Sequence, residues 1–239
     1  MEVMTRATLV SLATILVLSP LAAESQTRAP APPAGSQVSS PPSPVYTPPL
    51  RGAPGGRIGG GTRGVGGEDL RVSVLVPDDR ALTASEQPTL YWFISRAPRL
   101  PVEITVVDTG AVEPVLELLL PPSVEGGVHA LRLADHRVRL RVGVSYKWYV
   151  AVVTDRSRRS RDVLAGGTVE RVEPPADLVA KLAHTRREDL PSLYASAGLW
   201  YDALAAISEL VTATPNEEGP RRQRAALLAQ VGLPATVAP

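Results

Sequence analysis

Arg137, Arg139 and Arg141 alternate with Val138, Leu140 and Val142. On a β-strand this spacing puts three guanidinium groups on one face and three apolar side chains on the other. The charged face cannot be core. It is either a solvated strand that discourages sheet-to-sheet aggregation, or a docking surface, because guanidinium forks pair with carboxylate and phosphate. Arg156, Arg158 and Arg159 add to the local excess, in a loop bracketed by Asp155 and Asp162. These six arginines form the candidate site for an anionic partner, an acidic envelope protein, an anionic glycan or lipid head groups.

Other chemistry is poorly provided for. His129, His136 and His184 are the only histidines and no pair has a metal-ligand spacing; the chain has no cysteine and no G-x-S-x-G turn. Asp155 and Asp162 would suit acid and base work on a glycoside, but the arginines between them hold both ionised, which favours ion pairing over proton transfer. Gly59-Gly60-Gly61-Thr62-Arg63-Gly64 matches the dinucleotide fingerprint in letters only. That fingerprint needs a strand before it and a helix after it, whereas a strand follows here. No catalytic, cofactor-binding or metal-binding residue is assigned, and the reading is of a noncatalytic protein. With 25 Lys+Arg against 24 Asp+Glu, the formal charge of +1 argues against a nucleic-acid binder.

The order of segments says where such a protein works. Arg6 precedes an apolar run from Ala7 to Leu18, and Ala22 and Ala23 supply the small residues of a cleavage site. Residues 1–23 are therefore expected to be a signal peptide, with export to the periplasm or cell surface, and the run is short for a membrane span. No transmembrane span is expected in the mature chain, and without cysteine there is no thiol for a lipid anchor. Residues 24–67 shift to Pro, Ala, Ser and Gly, as in Pro41-Pro42-Ser43-Pro44 and Pro48-Pro49. So little apolar content does not offset the entropy of ordering, and a disordered, solvated tether is expected.

Residues 68–173 are a succession of short strands separated by turn signals, the pattern of an antiparallel β-sandwich of immunoglobulin or fibronectin type. Expected strands are Leu70–Val76, Thr89–Ser95, one through Val102, Ile104 and Val106, one through Leu116, Leu118 and Leu120, then Val128–Leu133, Arg137–Val142, Tyr146–Thr154 and Leu164–Val172. Val144, Tyr146, Trp148, Val150 and Val152 share one face, which marks that strand as central and places Tyr146 as a tyrosine corner. Residues 174–239 change to a helical period. Leu190, Leu193, Tyr194 and Ala197 form one stripe ending at Gly198; Trp200, Leu204, Ile207 and Val211 form a second; a third helix runs from Pro220 to Val231. The first two look like a single tetratricopeptide hairpin, which without stacked neighbours must pack on the sandwich or on a partner.

Several short stretches together carry a family resemblance. They are Arg63-Gly64, Pro88-Thr89-Leu90-Tyr91-Trp92-Phe93, Tyr146-Lys147-Trp148, Asp155 to Asp162, Val169-Glu170-Arg171-Val172 and Trp200-Tyr201-Asp202-Ala203-Leu204. Over roughly Arg51 to Leu233 the chain resembles domain-of-unknown-function family nine-twenty-eight, found mainly in cyanobacteria and generally behind an export signal. The resemblance implies location and architecture without chemistry. It departs at Gly166-Gly167-Thr168, where an aromatic is expected before the Val-Glu-Arg-Val strand. Two readings of function stay open: an exported interaction module that presents the arginine face and the helical hairpin to a protein or anionic polymer, or an envelope polysaccharide or peptidoglycan enzyme.

Overall fold

Alternating apolar residues build most of the strands in two sheets. The computed structural model describes residues 43–49, 57–62 and 70–233. The chain divides into units Met1–Ser39 and Ser40–Pro239, and every described residue belongs to the second. The expected signal peptide thus lies outside the described residues, as do 24–42, 50–56 and 63–67 of the expected tether. The strands are β1 (Gly60–Thr62), β2 (Leu70–Val74), β3 (Leu82–Thr83), β4 (Thr89–Ile94), β5 (Val102–Asp108), β6 (Pro114–Leu120), β7 (Gly127–Arg132), β8 (Ser145–Val152) and β9 (Val163–Arg171). One sheet has the order β1-β2-β4-β7 and the other β3-β9-β8-β5-β6. All pairings are antiparallel except β3 with β9.

The central position of β8 follows from its sequence. Tyr146, Trp148, Val150 and Val152 are buried along one face, against Val102, Ile104 and Val106 of β5 and Val163, Ala165 and Val169 of β9. The Tyr146 hydroxyl accepts a 3.1 Å hydrogen bond from the backbone N–H of Arg141, five residues upstream, which is the bond that defines a tyrosine corner. Gly166 and Gly167 replace the expected aromatic for steric reasons. A Cβ on Gly166 would lie 2.5 Å from Tyr149 Cδ1, and one on Gly167 2.6 Å from Val76 Cγ2. The two glycines let a tyrosine ring lie over one side of β9 and the first sheet close on the other.

The helical region is α1 (Ala176–His184), α2 (Leu190–Ser196), α3 (Trp200–Ala213) and α4 (Glu218–Ala229). Helix α2 ends in a Schellman motif: Gly198 is left-handed at φ +76°, its N–H reaches the Ala195 carbonyl at 3.0 Å, and the Leu199 N–H reaches that of Tyr194 at 3.0 Å. The hairpin packs on the sandwich. Trp200 and Tyr201, the first two residues of α3, are fully buried. Trp200 Nε1 donates to the Leu75 carbonyl at 2.8 Å; Trp148 Nε1 donates to the Tyr201 hydroxyl at 2.9 Å, which donates in turn to the Thr168 carbonyl at 2.7 Å. Both sheets and the hairpin thus share one core. No helix among the described residues is long and apolar enough to cross a membrane.

Two expectations are corrected. The described parts of residues 24–67 are packed on the domain. Tyr46 is buried and meets Trp200 edge-on, with ring centroids 5.0 Å apart. Ile58 exchanges two backbone hydrogen bonds with Gly166 of β9, at 2.8 and 2.9 Å, while Gly60–Thr62 pairs with β2, so this segment bridges the two sheets. Arg57 clamps it, donating to the carbonyls of Val76 at 3.0 Å and Val231 at 3.2 Å and pairing with Asp78 at 3.1 Å. Composition hid this, because one aromatic and one arginine do the anchoring within a Pro/Gly-rich stretch.

The second correction concerns Arg137–Val142, which is not a strand of either sheet. A 3-10 turn over Leu133–His136 ends with Arg137 left-handed at φ 57°. The following N–H groups turn to loops and turns: that of Val138 to the Leu133 carbonyl, and that of Leu140 to the Glu86 carbonyl at 2.7 Å. Alternation in exposure survives as far as Leu140, which is buried between exposed arginines, but Val142 is exposed like Arg141 beside it, so the period is only partly kept and there is no ladder.

Candidate functional site

The six arginines do not form one surface. Residues 137–141 stand beside the Asp108 end of β5, and residues 156–161 beside its Val102 end, near the far end of β8. An eight-residue strand separates the two groups by about 25 Å. Arg139 pairs with Glu86 and Arg141 with Asp108; Arg171 approaches the other Glu86 oxygen at 3.7 Å. Asp108 is held below the usual carboxylate range by the Gly110 N–H and then by Arg141. Arg159 forks onto Glu103 at 3.0 and 2.9 Å and reaches Asp162 at 2.7 Å. Asp155 is also held low, but by the hydroxyl and N–H of Ser157 rather than by a guanidinium. Arg137, Arg156 and Arg158 are exposed and make no ion pair among the described residues. Half of the expected docking charge is therefore matched within the chain.

A concentration of cationic groups with a built shape lies elsewhere. The outward face of β4 and β7 presents Tyr91, Val128, Ala130 and Arg132, since Tyr91 is directly opposite Ala130 and Thr89 opposite Arg132. Helix α3 crosses this face with Ser208, Glu209 and Thr212; α4 brings Arg224, and the 3-10 turn before α2 brings Arg187. Together they enclose an open groove of about 510 Å³. Three arginines and the three hydroxyls of Tyr91, Ser208 and Thr212 line it, and Glu209 is its one acidic lining residue. Arg187 touches Glu209 at 3.5 Å, while Arg132 is exposed and makes no ion pair among the described residues. Burial raises the pKa of Tyr91, against the Ser208 hydroxyl and the charges of Arg132 and Arg224. Burial lowers the pKa of Arg224, a cation held largely out of water.

Sequence reading missed this groove because its residues come from five separate elements and share no spacing. One signal was available. In Leu90-Tyr91-Trp92-Phe93 both faces of β4 are aromatic or apolar, so each face requires a cover.

Asp202 sits next to this groove and has a different task. It is in the first turn of α3 and its Oδ2 accepts from the Ala84 N–H at 3.0 Å, tying the loop after β3 to the helix. Burial pushes its carboxyl up to about 6, against hydrogen bonds from Ala84 and Thr83. These donors tie the carboxylate to the loop after β3, so the group acts as a staple. Because the folded pKa is raised, its contribution to stability is present below the ordinary 3.8 and is lost as pH rises through about 6. Asp202→Asn keeps the acceptor and removes the charge. The variant is expected to be more stable than wild type at pH 8, by at most about 3 kcal/mol, and to converge with it near pH 4. Denaturant titrations at the two pH values check this; parallel pH profiles would show that Asp202 titrates normally.

No curated protein matches the chain. A family model does match, over residues 58–239, which spans β1 to β9, all four helices, the groove and Asp202. Its first matched residue, Ile58, is the one that bridges to Gly166, so the family unit includes the sheet-crossing segment. The chain belongs to the family described as Domain of Unknown Function (DUF928).

Proposed function

We propose that the protein is a noncatalytic, exported interaction module that takes an anionic group of an envelope partner into the groove between the β4–β7 face and helices α3 and α4. The observation that carries this reading is the meeting of Arg132, Arg187 and Arg224 in a groove lined also by the Tyr91 and Ser208 hydroxyls, with Arg132 exposed and in no ion pair among the described residues. Guanidinium forks and hydroxyl donors together suit a carboxylate or phosphate. The leader-like residues 1–23 support export. Arg137, Arg156 and Arg158 give the domain further positive charge at its two ends, which would guide an acidic partner without fixing its position.

The test is retention on poly-glutamate and on polyuronate matrices across a salt series, comparing wild type with Arg132→Gln/Arg187→Gln. Both side chains are at the surface, so thermal melts should coincide. The double variant should bind about tenfold more weakly at low salt, with a shallower salt dependence. Preference for one matrix then identifies the partner as protein or glycan. A variant with Arg137, Arg156 and Arg158 all changed to Gln should lose less. Equal retention of wild type and the groove variant at every salt concentration would remove the groove from the proposal.

A further inference from the structure

Residues Ser43–Pro49 lie on the helical region in the manner of a bound peptide. The Tyr46 N–H donates to Gln230 Oε1 at 2.8 Å, and Gln230 Nε2 donates to the Pro44 carbonyl at 2.8 Å, so one amide side chain clamps two backbone groups. The Thr47 N–H reaches the Ala195 carbonyl at 3.1 Å. Between these anchors the Tyr46 ring enters a slot against the edge of Trp200. Gly198 is required for the fit, since a Cβ there would be 3.0 Å from the Thr47 carbonyl oxygen. Backbone clamps, one aromatic pocket and flanking prolines that limit the entropy of the free segment are the elements by which grooves recognise proline-rich peptides.

The resident segment fits imperfectly at one atom. The Tyr46 hydroxyl is buried and has no hydrogen-bond partner among the described residues. Leaving a buried hydroxyl unpaired carries a desolvation penalty that phenylalanine would avoid.

We infer that this face of the helical region is an exchangeable peptide site, held in cis by Pro44–Pro49 and able to take an extended, proline-flanked aromatic segment of a partner protein in its place. Displacement frees the chain's own segment while the partner inherits the Gln230 clamp and the Trp200 slot. The site is distinct from the arginine groove.

Fluorescein-labelled peptides with the sequence of residues 43–49, and versions with phenylalanine or alanine in place of Tyr46, are titrated against the full chain and against Tyr46→Ala and Tyr46→Ala/Gln230→Ala variants by anisotropy. The Tyr46→Ala chain, its resident weakened, should bind the tyrosine peptide more tightly than wild type does. It should bind the phenylalanine peptide about tenfold more tightly again, and should not bind the alanine peptide. Removing Gln230 as well should weaken the tyrosine and phenylalanine peptides alike, because its amide clamps backbone groups common to both. Self-association of the wild-type chain that rises with concentration and is lost in Tyr46→Ala, read by light scattering, would assign the occupant to a second copy and overturn the partner reading. Equal affinity for the tyrosine and alanine peptides would overturn the site itself. Should Tyr46→Ala lack a cooperative melt, the peptides are titrated against wild type at millimolar concentration, where failure of the phenylalanine peptide to bind also overturns it.

Discussion

Deletion of residues 24–67 is expected to lower the thermal midpoint by about 10 °C. The segment removed contains Tyr46, whose burial against Trp200 contributes about 2–3 kcal/mol. It also contains Arg57, whose guanidinium ties the end of β2 to the turn after α4, and Ile58, whose two hydrogen bonds cap the outer side of Gly166. Ordering these residues on folding opposes the gain. Their loss, however, also exposes the edge of β2 and uncovers Trp200, so the net effect is on the order of 3–4 kcal/mol. At about 2–4 °C per kcal/mol for a domain of this size, that gives the expected shift. Circular dichroism melts of the full and shortened chains measure it. Coincident melts would return residues 43–62 to the role of a solvated spacer.

What sequence could and could not show follows from how many residues carry each signal. Strands β5 and β8 were legible because alternation ran for seven or more residues with the two faces distinguishable, and β4 and β9 because turn signals bounded runs rich in apolar residues. Strand β3 has two residues and pairs in parallel with β9, too few to show any period. Helix α1 escaped notice because its nine residues hold only one repeat of an apolar stripe, Leu178 with Leu182 beside Val179, and of these only Leu178 is buried. The Arg137–Val142 segment shows the opposite error. Alternation there reports which side chains face solvent, and a loop lying on a sheet edge can produce it without any ladder.

The site follows the same logic. Arg139, Arg141 and Arg159 were visible as charge, but their partners Glu86, Asp108 and Glu103 lie at least 33 residues away in sequence. A surplus counted locally along the chain was therefore partly neutral in space. Conversely, Arg132, Arg187 and Arg224 look unremarkable one by one and become a cluster only when α3 and α4 cross the β4–β7 face. Tyr46 belongs to the same class, since its slot is made by residues more than 140 positions later, Ala195, Trp200 and Gln230.

Trp200→Ala is expected to have the largest effect of any single substitution, about 3–5 kcal/mol. Trp200 is fully buried, donates to the Leu75 carbonyl beyond the end of β2, and forms the wall against which Tyr46 packs. Truncation therefore opens a cavity where sheet, hairpin and bridging segment meet, and removes a donor from a buried carbonyl. Against a typical stability of about 5–15 kcal/mol, such a loss should leave the chain only marginally folded at 37 °C. Tyr201→Phe isolates the polar part of the same junction. It removes no core volume to speak of, but it deprives Trp148 Nε1 of its acceptor and the Thr168 carbonyl of its donor, a cost of about 1–3 kcal/mol. Urea denaturation followed both by far-ultraviolet dichroism and by tryptophan fluorescence measures both variants. If sandwich and helices fold as one unit, each variant should shift both signals together, with Trp200→Ala shifted further. A loss under about 1 kcal/mol in Trp200→Ala, or helical signal melting well before the fluorescence change, would show that the hairpin is an appendage whose packing adds little to the sandwich.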